Sequence, residues 1–307
     1  MRKMLTILLA ACLLIPAALA ESAWAPLPLD DVEAIPHAAS PDHYIYNDEG
    51  ELIGYEDETL TVTMEHIWVD DARFNVARIT IVDPSQLRTG LAVPNARKTN
   101  KVSAIAASHN AVVAIGGDFF TKDKVGPAIR MGKVFQEPVP GNRTRYNRDM
   151  LFIDENGDFH ILLKPTIEDY QAMRDSELNI INAFTFGPAL VIDGEIQETD
   201  PEHYAYALSY KDARTAIGQI GPLEYLLVVV DGDDRAGGSK GCTGAALAQF
   251  MHDQGCVQAF NLDGGGSAYM YFGGANYSDK SVNAERSLSD IIYFGTLMDF
   301  GPDAEAK

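Results

Sequence analysis

Between Tyr225 and Leu262 the chain runs from an apolar stretch through a capped helical pattern into a second apolar stretch, and this order restricts the fold more than any other segment. Tyr225 to Val230 and Val257 to Leu262 read as buried strands. The segment from Thr243 to Gln254 places Leu247, Phe250, Met251 and Gln254 on successive turns, with Thr243 as N-cap and Gly255 as the left-handed stop. The spacing predicts a β-α-β unit with parallel strands.

Elsewhere strand and hairpin signals prevail. Thr59 to Val69 is rich in β-branched and aromatic residues, and Asn75 to Val82 alternates as a half-buried strand does. Asn156-Gly157 and Asp193-Gly194 each separate two apolar runs, and two-residue hairpin turns of this kind need positive φ at both positions. Shorter helices are predicted for Val102 to His109, capped by Asn100 or Ser103, and from Thr166, where Thr166-Ile167-Glu168-Asp169 forms a capping box. The expected fold class is α+β, a mixed β-sheet with hairpins and one β-α-β unit, in a single domain over residues 44–298. An extended leader at 21–43, carrying Pro26, Pro28, Pro36 and Pro41, precedes it, and a polar tail at 299–307 follows.

The first twenty residues read as a signal peptide. Arg2 and Lys3 precede the apolar run Met4 to Ile15, and Ala18-Leu19-Ala20 is a small-x-small cleavage pattern. The protein is therefore expected outside the cytosol, secreted or in the cell envelope; the competing reading makes Cys12 a lipidated residue. No second apolar run approaches the roughly 18 residues of a membrane span. The net charge of −20 repels a phosphate backbone and excludes a general nucleic-acid binder. Cys242 and Cys256 flank the predicted helix, which at about 1.5 Å per residue holds them beyond the roughly 7 Å limit of a disulfide. Two buried thiols are expected.

Three strands run into small residues and an acid: Ala111 to Ile115 into Gly116-Gly117-Asp118, Tyr225 to Val230 into Asp231-Gly232, and Ala259 to Leu262 into Asp263-Gly264-Gly265-Gly266-Ser267. This grammar sets a carboxylate at a strand end beside bare backbone. Consecutive glycines cost backbone entropy and suggest close approach by a ligand. Arg214 enters a strand with a guanidinium suited to phosphate. The loop from Gly237 to Thr243 opens a helix, where N–H groups and the macrodipole favour an anion. It ends Gly241-Cys242-Thr243, which is not a nucleotide P-loop, and Ser267 lacks the flanking glycine of a nucleophile elbow. No histidine spacing reads as zinc ligation; no cofactor is called, and a divalent cation requirement is not readable.

Taken together, Val112 to Phe120, Phe186 to Val191, Arg214 to Gly218, Leu226 to Gly232, Gly241 to Leu247, Gly255 to Ser267 and Arg286 to Tyr293 resemble the phosphodiester glycosidase family, in the family's order. The resemblance implies hydrolysis of the bond between a sugar's anomeric carbon and a phosphodiester, with a cell-envelope polymer or glycan as substrate. On that reading Asp118 and Asp263, with Asp231 third, are the catalytic carboxylates, since an oxocarbenium-like centre needs one as nucleophile or base and one to control protons. Arg214, Gly117, Gly241, Thr243, Asn261, Gly264, Gly265, Gly266, Ser267 and Arg286 become candidates for substrate or phosphate contact. Two positions depart from the family pattern: Gly116 stands where asparagine is usual, and Asp233 where arginine is common. The first motivates an alternative, a non-catalytic glycan-binding or exopolysaccharide-assembly module. A metal-dependent phosphodiesterase is a third reading, which predicts cleavage of P–O rather than C–O.

Overall fold

The computed structural model describes residues 24–93, 98–118, 120, 126–138, 148–199, 208–233, 237–279 and 285–301. The segment read as a signal peptide, Cys12 and the end of the tail lie outside these residues.

Strand dominates. A nine-stranded sheet runs in the order Tyr44–Tyr46, Leu52–Glu56, Leu60–Val69, Ala72–Ile81, Glu224–Val230, Arg214–Gly221, Gln258–Leu262, Ala189–Ile192, Glu195–Ile196. A second sheet of five strands is ordered Phe159–Leu162, Met150–Asp154, Ile180–Thr185, Ala128–Arg130, Lys133–Gln136. A third, also of five, is ordered Ala275–Asn276, Met270–Phe272, Val113–Gly116, Asp290–Phe294, Leu87–Leu91. Among the described residues every ladder is antiparallel, so the molecule is mostly β and the expected mixed pairing does not occur. The helix Gly244–Asp253 does connect two strands running the same way, but Arg214–Gly221 lies between them and pairs antiparallel with both. A strand earlier in the chain fills the gap, which periodicity cannot reveal.

One core joins the three sheets. Leu227 and Val229 of the large sheet pack with Leu151 and Phe184 of the second and Ile115 and Ile292 of the third. The alternate residues Leu226, Val228 and Val230 face the helix Gly244–Asp253 through Leu247, Phe250 and Met251, with Phe74 stacked 4.0 Å from Phe250. Burial on both faces explains why Tyr225 to Val230 reads as a continuous apolar run. The half-buried reading of Asn75 to Val82 holds from Ala77 onward, where buried Ala77, Ile79 and Ile81 alternate with Arg78, Thr80 and Val82; it fails at Asn75 and Val76, where Val76 packs with Phe74 in the cluster beneath the helix. Gly218 is required here, because a Cβ would stand 2.5 Å from Cys256 Sγ. Cys242 and Cys256 are free and buried, as expected.

Local signals fare unevenly. Asp193 and Gly194 have φ of 51° and 78° and join Ile192 to Glu195 directly, the two-residue turn expected. At Asn156-Gly157 only the glycine has positive φ. That hairpin closes from Ile153 to Phe159 through a longer loop, because Asp154 Oδ1 accepts from the N–H groups of both Asn156 and Asp158. Thr166 and Asp169 form the capping box, and Thr243 caps its helix by accepting from Ala246 N–H. The helix Val102–Ser108 is capped by neither Asn100 nor Ser103: Glu285, distant in sequence, accepts from Ser103 N–H and Oγ–H.

The stretch from Trp24 to Ala39 is tied to the rest of the molecule. Trp24 bridges to Met298 and His37 to Thr296, while fully buried Arg88 donates to the carbonyls of Pro28 and Asp31. No helix among the described residues is long and apolar enough to cross a membrane.

Candidate active site

Three strands of the large sheet end at one edge. Arg214 opens its strand opposite Val230, and Thr215 pairs with Leu262, so Arg214, Asp231 and Asp263 leave the sheet together. The glycines after Asp263 are needed partly by the protein itself. A Cβ on Gly264 would lie 2.7 Å from Ala213 O, and one on Gly266 would lie 3.0 Å from Arg286 Nη2. Gly265 has φ +55° and donates its N–H to Ala213 O at 2.8 Å. The bare backbone thus packs on the neighbouring strand and seats a guanidinium, a reason beyond ligand approach.

A cavity of about 260 Å³ opens at this edge, lined by Phe186, Leu208, Tyr210, Asp212, Arg214, Asn261, Leu262, Asp263, Gly264, Gly265 and Arg286. Arg214 Nε donates to Cys242 O at 3.1 Å and Nη2 to Tyr210 O at 2.8 Å, which braces the guanidinium at the wall. Arg286 Nη1 donates to Ser267 Oγ at 3.2 Å. Asn261 Nδ2 donates to Gly187 O at 2.8 Å, so the orientation of its amide is fixed, and its Oδ1 is buried without a hydrogen-bond partner. Asp263 Oδ2 is in the same condition. Burial pushes the Asp263 carboxyl up to about 6, against the hydrogen bond from Ser267 and the charge of Arg286. Two buried acceptors without partners thus belong to residues on the wall of a cavity that two cations also line, an arrangement suited to ligand donors and an anion.

The cavity brings together Arg214, Asn261, Asp263, Gly264, Gly265 and Arg286, with Gly266 and Ser267 behind Arg286. Gly117 lies behind Asp263, its carbonyl accepting from Asp263 N–H at 3.3 Å, and a Cβ there would stand 2.5 Å from Asp290 Oδ2. Asp118 is not at the cavity wall. Its Oδ1 accepts from Arg130 Nη2 at 2.7 Å and its Oδ2 from Thr185 N–H at 2.9 Å. Arg130 bonds Asp290 equally closely, 2.7 Å from Nε, and all three side chains are fully buried. Asp231 also turns elsewhere, accepting from Asp279 N–H and lying 3.9 Å from Arg73.

Four N–H groups at the end of the glycine-rich loop and the start of the helix are taken up within the protein. Lys240, Gly241, Cys242 and Gly244 donate to Asp71, Ser239, Asp212 and Leu208. Thr243 lines a second groove of about 490 Å³ with Gln197, Thr199 and Gln249, which shares Leu208 with the first cavity. Sequence reasoning missed Asp212, Tyr210 and Phe186 as wall residues, and Arg148, which sits 5.0 Å from the Phe186 ring and draws the Asp263 carboxyl down. Asp212 was legible only by its place two residues before Arg214; nothing marked Arg148.

A family model described as phosphodiester glycosidase matches residues 109–295, which include the whole cavity wall. The chain belongs to the phosphodiester glycosidase family. Its fold is similar to that of the zebrafish N-acetylglucosamine-1-phosphodiester α-N-acetylglucosaminidase catalytic domain auto-inhibited by its pro-peptide, with a TM-score of 0.58 at 18% identity over 87% of this chain and 98% of that one. A hypothetical protein from Synechocystis is similar with a TM-score of 0.50 at 18% identity, over 77% of this chain and 62% of that one. In sequence, the SPbeta prophage-derived uncharacterized protein YomE of Bacillus subtilis (strain 168) is 33% identical over 111 residues, which span 36% of this chain and 17% of that protein.

In this chain the glycine at 116 has a local reason. Leu288 Cδ1 occupies the space beside it, 2.5 Å from where a Cβ would stand. Room that a side chain at 116 would take is filled by leucine.

Proposed function

We propose that the protein is a hydrolase that cleaves the C–O bond between a sugar's anomeric carbon and the phosphate of a sugar-1-phosphodiester. The observation that carries this reading is Asp263: a buried carboxylate on the wall of a cavity that Arg214 and Arg286 also line, with one oxygen that has no hydrogen-bond partner. A departing phosphate monoester is a good leaving group, so the site needs cations for the developing charge more than a strong acid. Arg214 and Arg286 hold the phosphate. Asp263 faces the anomeric carbon and stabilises its oxocarbenium-like charge, while Asn261 Oδ1 accepts from a sugar hydroxyl or amide N–H. Asp118 acts from behind as a positioning group, through the Gly117 carbonyl that holds Asp263 N–H. The signal segment and the family support an extracytoplasmic substrate, an envelope polymer or glycan with sugar-1-phosphate links.

The test is hydrolysis of the methyl diester of N-acetylglucosamine-1-phosphate in ¹⁸O water. Label recovered in the free sugar supports the reading. Label in the phosphate would replace it with a phosphodiesterase. The filled space at Gly116 favours one second reading, a glycan-binding module that has lost turnover. Saturable binding of the diester without release of sugar would support that module.

A further inference from the structure

Among the described residues only two acidic side chains line the cavity, Asp212 and Asp263. They differ in setting. Asp263 is 8% exposed at the back, whereas Asp212 is half-buried at the mouth. Asp212 is held firmly: its backbone exchanges hydrogen bonds with Cys242 at 3.2 and 3.1 Å, and its Oδ1 accepts from Ala213 N–H at 2.7 Å. Its Oδ2 and Oδ1 lie 3.8 and 4.0 Å from the point where a Cβ on Gly265 would stand. The carboxylate therefore overhangs bare backbone two residues beyond Asp263, where nothing but solvent or substrate needs to fit. Asp118, the other acid expected to act here, has both oxygens engaged by Arg130 and Thr185.

We propose that Asp212 is the second carboxylate of the reaction, the base that takes the proton from the attacking water. This rests on the glycosidase reading above. The water oxygen bonds the anomeric carbon as the C–O bond to phosphate breaks, and the electron pair leaves on the phosphate oxygen beside Arg214 and Arg286. The water proton passes to an Asp212 oxygen, and Asp263 compensates the transient positive charge on the sugar. A half-exposed carboxylate at the mouth receives water from solvent; a buried one at the back does not. The division of labour follows from burial.

The experiment compares the wild-type protein with Asp212→Ala, Asp212→Asn and Asp263→Asn on the methyl diester of N-acetylglucosamine-1-phosphate, with and without azide. Asn at 212 retains an oxygen for the Ala213 N–H and so separates chemistry from folding. Both Asp212 variants should lose about 10²–10⁴-fold in kcat with little change in KM, the usual worth of a general base. Azide, already an anion, needs no base, so it should restore turnover in Asp212→Ala and give the glycosyl azide. A loss of less than about tenfold in both variants, or a loss with no azide product, overturns the role of Asp212. In that case wild-type turnover abolished by Asp263→Asn leaves the glycosidase reading standing. A wild type that binds the diester and releases no sugar overturns both.

Discussion

Replacing Arg130 by methionine should unfold the protein under conditions that leave Asp118→Asn folded. Arg130 is fully buried and holds two fully buried carboxylates at 2.7 Å each, with further bonds to the carbonyls of Ile129 and Ala183 and the Phe184 ring stacked 4.0 Å away. Methionine fills much of the same space and leaves both carboxylates without their cation. Removing one partner of a buried pair costs about 3–5 kcal/mol, because an uncompensated charge remains. That is a large share of the roughly 5–15 kcal/mol that stabilises a typical domain. Asp118→Asn is milder. It keeps an oxygen for Arg130 but puts an amide N–H against Thr185 N–H, a lost bond and a buried unsatisfied donor worth about 1–3 kcal/mol. It also removes one of two acids competing for a single guanidinium.

The same cluster fixes a pH dependence. Burial raises the Asp290 carboxyl from 3.8 to about 6, with the Asp118 charge adding to the effect and Arg130 opposing it. The folded protein therefore keeps a proton that the unfolded chain has released. The resulting stability is full below about 4 and lost as pH rises through about 6, with a slope of up to about 1.4 kcal/mol per pH unit. Asp118→Asn should flatten that slope. Urea titrations at about pH 3.5, 5 and 7.5, which bracket that window, read with a common m-value, measure both quantities. Two results would refute the reasoning: a cost below about 1 kcal/mol for Arg130→Met, or an Asp118→Asn protein of wild-type stability with no activity. The second would make Asp118 a chemical group and not a positioning one.

Other predictions are more local. Since burial raises the Asp263 carboxyl to about 6, kcat/KM should rise with pH through that value, and Asp263→Asn should remove activity at every pH in a steady-state assay. Thr243→Ala removes an N-cap, so it should lower stability by about 1 kcal/mol in urea while leaving KM unchanged; a raised KM would put Thr243 on the phosphate. Gly266→Ala drives a methyl to within 3.0 Å of Arg286 Nη2 and should weaken competitive inhibition by N-acetylglucosamine-1-phosphate. A loss of about tenfold would match one weakened charge-assisted bond. Deleting residues 24–35 strips two carbonyl acceptors from buried Arg88, at about 1.5–3 kcal/mol each, and should destabilise the protein without raising kcat.

What the sequence disclosed follows the range of the forces involved. Thr243 and Gly255 bound their helix because caps act within one turn, and Asp193-Gly194 made its turn because both positions need positive φ. Asn156-Gly157 carries the same signal, yet the Asp154 side chain captured the loop. The edge where Arg214 and Asp263 meet was legible as strand ends; the strand inserted between the two arms of the β-α-β unit was not, because pairing across forty residues leaves no periodic trace. Arg130 lies 12 positions from Asp118 and 160 from Asp290, so the contact that removes Asp118 from the cavity had no local sign.

Asp118, Asp231 and Asp263 share one sequence grammar, and their fates differ by what stands opposite each carboxylate. A buried carboxylate must be paired, hydrogen-bonded or protonated, or it destabilises the fold. Asp118 has Arg130 at 2.7 Å, and Asp231 has Asp279 N–H with Arg73 at 3.9 Å. Asp263 keeps one oxygen without a partner, and burial pushes its carboxyl up to about 6. A fold optimised for stability alone would close that gap by turning Arg286 onto the carboxylate. Instead Ser267 accepts from Arg286, and Gly266 makes the space that lets the guanidinium lie there. Cation and acid line the same cavity, and a molecule carrying both an anion and hydrogen-bond donors satisfies the two together.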